Sequence, residues 1–392
     1  MSKDHFPRIA FLSSSLGGYR PVDPRTEESL LPTSRPSGKP LISPGITYGT
    51  YLNAIKRVVL ERWDQFIEIL SAGSETLPLD VHQIDIIAEK HGSDYHPARM
   101  RVFTENGTHQ FVVNVAVTER GKQRIEREFR VLRSLREEFS EDFVPRVHFL
   151  AAVPVSTADG CDTPLMMFFG EWLSGYHEFH LSEAQSDGRL GTVLWDMNHG
   201  YDLLTDREAE EVFRRAAHIL TYYYDTETFR EIFPWHHASG DFVAGRFENR
   251  IDVKLITVRQ YAPRMGFEEQ SPNNAVTALI SFLANLTVRM RLDRLDGVGE
   301  VAWAGCHATD GTMAGFLSGL SAKVGQGHCP VSLLRQFSRA ARELSPVDLT
   351  EIFKDVVESY DRQAPDLPVV TRHLPDHILQ VYRLLRDFPS FM

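Results

Sequence analysis

Cysteine is scarce: three in 392 residues. Cys161, Cys306 and Cys329 stand far apart, are odd in number and form no CxxC pair. That argues against a disulfide framework and fits a reducing compartment, so a cytoplasmic protein is expected. Neither Cys306-His307 nor His328-Cys329 has the spacing of a zinc finger or ribbon, and no metal is assigned to them. Apolar runs are short as well. None reaches the roughly 18 residues a membrane-spanning helix needs. Met1 to Ser13 lacks a charged lead before a long apolar stretch, so neither a membrane partner nor a secretory signal is expected. Positive charge is in deficit: 42 Lys and Arg face 53 Asp and Glu, a net −11. Nucleic-acid binding requires clustered cations and is not expected. No internal repeat is visible.

What is present is an ordinary globular balance, 42% hydrophobic and 24% charged. Residues 1–46 are rich in Pro, Ser and Gly and read as an irregular arm, the segment through which copies of the chain would associate. Residues 47–80 hold a helix: Leu52, Ile55, Val58, Trp63, Phe66 and Leu70 have its period, and Gly73 stops it. Residues 81–173 read as strand-rich. Ile84–Glu89, Arg99–Thr104 and Gln110–Val117 predict strands, with Asn106-Gly107 favouring a tight hairpin turn. A long helix follows over about Arg120–Phe139, with Ile125, Phe129, Leu132 and Leu135 on one stripe. Arg124, Arg127, Arg130, Arg133 and Arg136 interleave there with acids and read as its solvated face. Two further strand-like runs are Arg146–Val155 and Leu165–Leu173.

Residues 174–392 read as mostly helical. Thr205-Asp206-Arg207-Glu208 is a capping box opening a helix to about Tyr224. A short strand-like run covers Ile251–Val258, and Asn274–Leu295 has helical period. Arg289, Arg291 and Arg294 are expected on the polar side of that helix, where cations suit its C-terminus. Ser345-Pro346 caps another helix.

The most chemically suggestive segment is His237-Ala238-Ser239-Gly240-Asp241, which follows a long helix and precedes a short strand. A carboxylate on a tight glycine turn can take or orient the proton of an attacking hydroxyl. Upstream, Asn114 sits on the third strand and Glu128 on the helix after it, and Glu171-Trp172-Leu173 leaves the fifth strand. Together with the order three strands, one helix, two strands, then helices, this resembles the aminoglycoside-phosphotransferase and choline-kinase-like branch of the protein-kinase-like superfamily. The resemblance covers about Ile84 to Leu295.

The resemblance implies an α+β, two-lobed fold with a small antiparallel-sheet N-lobe and a mostly helical C-lobe. It implies ATP and Mg²⁺ as cofactors and a small-molecule acceptor. Asp241 would be the catalytic base with His237 beside it. Glu128 would organise the upper lobe, Glu171, Trp172 and Leu173 would face adenine, and Asn114, Arg246 or Arg259 would touch phosphate. The sequence departs from the family pattern in five places. Two residues separate His237 from Gly240, where the family has a contiguous His-Gly-Asp. The strand lysine is replaced by Asn114, and the loop asparagine by Arg246. The metal-binding Asp is absent, with Thr257, Arg259 and Gln260 near its place. The loop before the second strand, Lys90-His91-Gly92-Ser93, holds one glycine rather than GxGxxG. Two readings follow: an atypical nucleotide-dependent phosphotransferase acting on a small-molecule hydroxyl or amine, or a catalytically inactive relative that binds a ligand or acts as a scaffold.

Overall fold

The computed structural model describes residues 6–15, 17–32, 45–72, 80–89, 92, 95–183, 190–196, 200–237, 240–248, 250–267, 271 and 273–389. Lys90, His91, Ser93, Ala238 and Ser239 lie outside them. The protein is α+β, and its chain divides into two compact units, Met1–Glu138 with Pro145–Ser174, and Phe139–Val144 with Gly175–Met392.

The first unit is built on a seven-stranded sheet. Its elements are β1 (Arg8–Ser15), β2 (Gly18–Pro21), α1 (Pro24–Glu28), α2 (Tyr48–Glu61), α3 (Trp63–Ser71), β3 (Val81–Ala88), β4 (His96–Thr104), β5 (Gly107–Ala116), α4 (Glu119–Glu138), β6 (Val147–Ser156) and β7 (Asp162–Glu171). The strand order is β2-β1-β3-β4-β5-β7-β6. The expected run of three strands, helix and two strands is present as β3, β4, β5, α4, β6 and β7. Asn106 lies in the two-residue connection of the β4–β5 hairpin, whose register closes at Thr104 opposite Gly107.

Three expectations need correction. The sheet is mixed rather than antiparallel, because β1 runs parallel to β3, with Ala10 opposite Asp85. The segment expected to be an irregular arm supplies that strand and β2, and so belongs to the sheet of its own unit. The single helix expected before residue 70 is two, divided at Arg62. One sheet face is closed by α2 and α3. Tyr51, Ile55, Val58 and Phe66 join Ile84, Ile86, Met100, Val113 and Phe169 in one cluster, each 2% exposed or less. Each such burial contributes about 1.5–3 kcal/mol before conformational entropy is counted. The other face carries α4, where Phe129 packs on Phe168 with ring centroids 6.1 Å apart.

The second unit is less helical than expected. It contains β8 (Glu178–Glu183), β9 (Leu190–Asp196), β10 (Gly200–Leu203), α5 (Asp206–Tyr223), β11 (Arg230–Ile232), β12 (Phe242–Phe247), β13 (Arg250–Leu255), β14 (Tyr261–Pro263), α6 (Asn274–Met290), β15 (Leu292–Arg294), β16 (Val301–Trp303), α7 (Cys306–Gly325), α8 (Val331–Glu343), α9 (Pro346–Glu358) and α10 (Leu367–Arg386). The strands form small separate sheets: β10-β9-β8, β11-β14, β12-β13 and β15-β16. Thr205 and Glu208 close the expected capping box on α5, and Ser345 with Asp348 closes another on α9.

Helices α5 and α7 approach each other closely because Gly311, Gly315 and Gly319 recur every fourth residue on one face of α7. A Cβ at Gly311 or Gly315 would strike the backbone of Glu210 or Arg214, and one at Gly319 would stand 2.8 Å from the Thr221 Cβ. Close approach, rather than a special φ, requires glycine there.

Candidate functional site

Asp241 stands immediately before β12 and is wholly buried. Its Oδ2 accepts the backbone N–H of His236 at 2.7 Å and is ion-paired with Arg259 Nη1. Its own carbonyl accepts the amide of Ile256 at 2.8 Å, so the chain leaving β13 is stitched to the loop. The second carboxylate oxygen, Oδ1, has no hydrogen-bond partner among the described residues. Burial pushes the Asp241 carboxyl above its usual range, against the Arg259 guanidinium and the His236 amide, which lower it. The turn before it needs glycine. Gly240 has φ +64°, and a Cβ there would collide with the Glu178 carboxylate.

His237 is held by rings rather than by polar groups. Phe179, Phe213, Trp235 and Phe242 surround it, with centroids 5.2 to 5.9 Å away. Neither ring nitrogen has a hydrogen-bond partner among the described residues. Burial lowers its pKa to about 4, so the imidazole is neutral at physiological pH. Beside this loop, His180 lies between two carboxylates, with Nε2 3.6 Å from Glu178 and Nδ1 3.5 Å from Asp293. Asp293 also accepts the Leu181 amide at 2.8 Å. No local pattern announces this group, because its members come from β8 and β15, more than a hundred residues apart.

Arg246 does not join Asp241. It lies near the far end of β12 and ion-pairs with Asp202 and, at 2.8 Å, with Glu208, the residue that closes the α5 capping box. Of the two arginines predicted for phosphate, Arg259 alone contacts the Asp241 carboxylate. That contact is one of attraction to a fixed carboxylate, not of an open cation.

In the first unit, Asn114 is half-buried on β5, opposite Pro97 on β4 and Phe168 on β7. Directly opposed residues share a sheet face. Asn114 is therefore on the face where α4 packs. Glu128 of α4 is 1% exposed, which removes it from the solvated surface of that helix. Glu171 ends β7 exposed, its side chain accepting the Arg146 amide at 3.1 Å while its own N–H donates to the Arg146 carbonyl at 2.8 Å. Leu173 follows, half-buried.

Trp172 has a neighbour that the sequence did not announce. The Arg99 guanidinium lies 4.7 Å from its ring centroid. Arg99 also donates to Gln110 at 2.6 Å and to the Tyr19 hydroxyl at 2.5 Å. Arg101, two residues on, pairs with buried Asp85 at 2.6 Å. Alternation along β4 puts both arginines on the face of Asn114, so a polar, cation-bearing layer covers that part of the sheet.

The three arginines expected on the polar side of α6 are placed otherwise. Arg291 is 7% exposed and donates to the Ala304 carbonyl at 2.8 Å and to Gln380 at 3.1 Å. Arg289 is half-buried between rings, and Arg294 donates to the Gly299 carbonyl at 3.1 Å. Cys306 is exposed and Cys329 buried. Among the described residues no group of three or more His, Cys, Asp or Glu side chains is arranged to hold a metal ion, and no helix is long and apolar enough to cross a membrane. No protein-family model and no curated protein matches the chain.

Proposed function

We propose that this chain is a kinase-like protein that does not transfer phosphate and serves as a ligand-binding or scaffold module. The observation that carries this reading is the Asp241–Arg259 pair: a carboxylate with no exposure, held by a guanidinium and a backbone amide. A catalytic base must reach its proton, and a metal ligand must reach its ion. Asp241 does neither while Arg259 covers it. Arg259 comes from the segment where the resemblance expects a metal-binding aspartate, so a fixed cation of the protein stands in place of carboxylate. The residues here do not fit Mg²⁺, a hard ion that takes oxygen ligands. In the first unit, Asn114 supplies no charge for phosphate. Arg99 lies over Trp172, the residue expected beside adenine.

The element order of the first unit supports the kinase-like part of the reading, as does the position of Asp241 between β11 and β12. The competing phosphotransferase reading would need Arg259 to swing away and leave the carboxylate open.

The test uses the full chain with ATP and Mg²⁺. Nucleotide turnover is expected to stay at the blank, and the melting temperature to be unmoved by ATP with or without Mg²⁺. A ligand at a hundred times its Kd would add about 2.7 kcal/mol, roughly several degrees for a protein of this size, so binding could not hide. Mg²⁺-dependent turnover that disappears in Asp241→Asn would sink the proposal.

A further inference from the structure

Phe233 follows β11 and leads toward the Asp241 loop. Two guanidinium groups stand over its ring, Arg264 with its central carbon 4.1 Å from the centroid and Arg289 at 4.5 Å. Arg289 also lies 4.9 Å from the Tyr360 ring, and its Nε donates to Asn285 Oδ1 at 3.1 Å. Arg264 is ion-paired with Glu231 at 3.2 Å. Among the described residues no carboxylate lies within ion-pair distance of Arg289; Asp366 and Glu231 act on it from further off. The Tyr360 hydroxyl has no hydrogen-bond partner among the described residues, although the residue is only 8% exposed.

Both features are costly when nothing answers them. Aromatic rings attract the flat faces of a guanidinium, but its five N–H donors point outward in its plane and still need acceptors. A buried hydroxyl without a partner is likewise unfavourable. We propose that Arg289, Arg264 and Tyr360 form a binding site for a small molecule bearing a carboxylate. A carboxylate supplies two coplanar acceptors, the match for a guanidinium edge, and can accept from a phenol hydroxyl as well. Charge decides between oxyanions. Above about pH 7, where Glu231 is ionised and the titrations below are run, it answers Arg264, so one positive charge remains close at hand, with Asp366 more distant. A singly charged carboxylate neutralises it. A phosphate dianion would bring excess negative charge beside Glu231 and Asp366. Arg264 keeps 30% of its side-chain exposure, and Arg289 is half-buried, which leaves a way in from solvent.

The site gives a ligand class to the binding role proposed above and rests on that reading only for its biological meaning. Its geometry stands whether or not the chain turns over ATP, so the two tests fail separately.

The experiment titrates the full chain with sodium acetate, against sodium chloride of equal ionic strength, following melting temperature and heat of binding. A saturable acetate effect in the millimolar range is expected, and sodium phosphate should bind more weakly. Tyr360→Phe, which removes one oxygen, should weaken acetate about tenfold, as befits one hydrogen bond to a charged group. Arg289→Gln should abolish binding; if that variant fails to fold, Tyr360→Phe still decides. No acetate effect beyond chloride, an unchanged affinity in Tyr360→Phe, or phosphate binding tighter than acetate would each overturn the proposal.

Discussion

At the scale of single residues, the Asp241–Arg259 pair has a measurable asymmetry. Asp241 is wholly buried while the Arg259 side chain keeps 26% exposure. Removing the arginine strands a carboxylate out of water; neutralising the aspartate leaves an arginine that can reach solvent. Arg259→Leu is therefore expected to cost about 3 kcal/mol or more, and Asp241→Asn distinctly less, in urea unfolding at neutral pH. Equal costs would mean that the carboxylate is not held by this arginine. The motif around residue 241 was visible in the sequence because glycine and aspartate turn chemistry is local. The partner of Asp241 was not, since Arg259 reaches it only when β12 and β13 fold back as a hairpin. The same limit hid Arg99 over Trp172, and Tyr360 beside Arg289, contacts that join distant stretches of chain.

At the scale of elements, α5 and α7 of the second unit approach each other closely. The Gly315 position faces the Arg214 backbone with no room for a methyl group. Helix propensity alone would make Gly315→Ala stabilising by about 1 kcal/mol. Overpacking should win instead, with a loss of about 1–3 kcal/mol. Gly325→Ala, in the last turn of α7 with open space around it, serves as the control that should not lose stability in this way. Thr205→Ala is expected to cost about 1 kcal/mol by opening the α5 capping box. Thermal unfolding of the three variants checks all of this.

Which elements the sequence revealed follows from the range of the forces that make them. The β4–β5 hairpin, α4, α5 and α9 carry their instructions locally, in Asn106-Gly107, in a 3.6-residue stripe, and in two capping residues. Strand β1 does not. Arg8–Ser15 lies beside a Pro- and Gly-rich stretch and becomes a strand by pairing with β3, some seventy residues later. Strands β8 to β10 were missed for a related reason: they form a small sheet of their own, and β10 is exposed along its length, so it offers no apolar alternation to read.

At the scale of the whole molecule, pH stability is set by buried groups that oppose one another. Burial holds His218 and His237 at about 4 and His377 at about 3. These histidines are neutral when folded and charge on unfolding below about 6.5. Their contribution is complete above that pH and is lost as pH falls toward 4. Glu231 has the opposite sign. Burial raises it to about 7, against Arg264, so its contribution is present below about 4.5 and lost as pH rises to about 7. At roughly 1.4 kcal/mol per pKa unit, His218, His237 and Glu231 are each worth about 3 kcal/mol and His377 about 5 kcal/mol, so the three histidines outweigh the glutamate. Stability should therefore fall between pH 6.5 and 4, and more steeply in Glu231→Gln, which lacks the compensating group. A flat profile in urea titrations over that range would contradict the burial of these imidazoles.

The parallel pairing of β1 with β3 has a consequence for how the chain is made. On a ribosome, Arg8–Ser15 emerges before its neighbour, which is complete only when Ala88 has cleared the exit tunnel. Until then its hydrogen-bonding edge is open to any other nascent strand, and among the described strands that precede β3 only β2 covers it. Translation pauses ahead of residue 88, or crowded polysomes, should thus raise misfolding of the first unit far more than of the second.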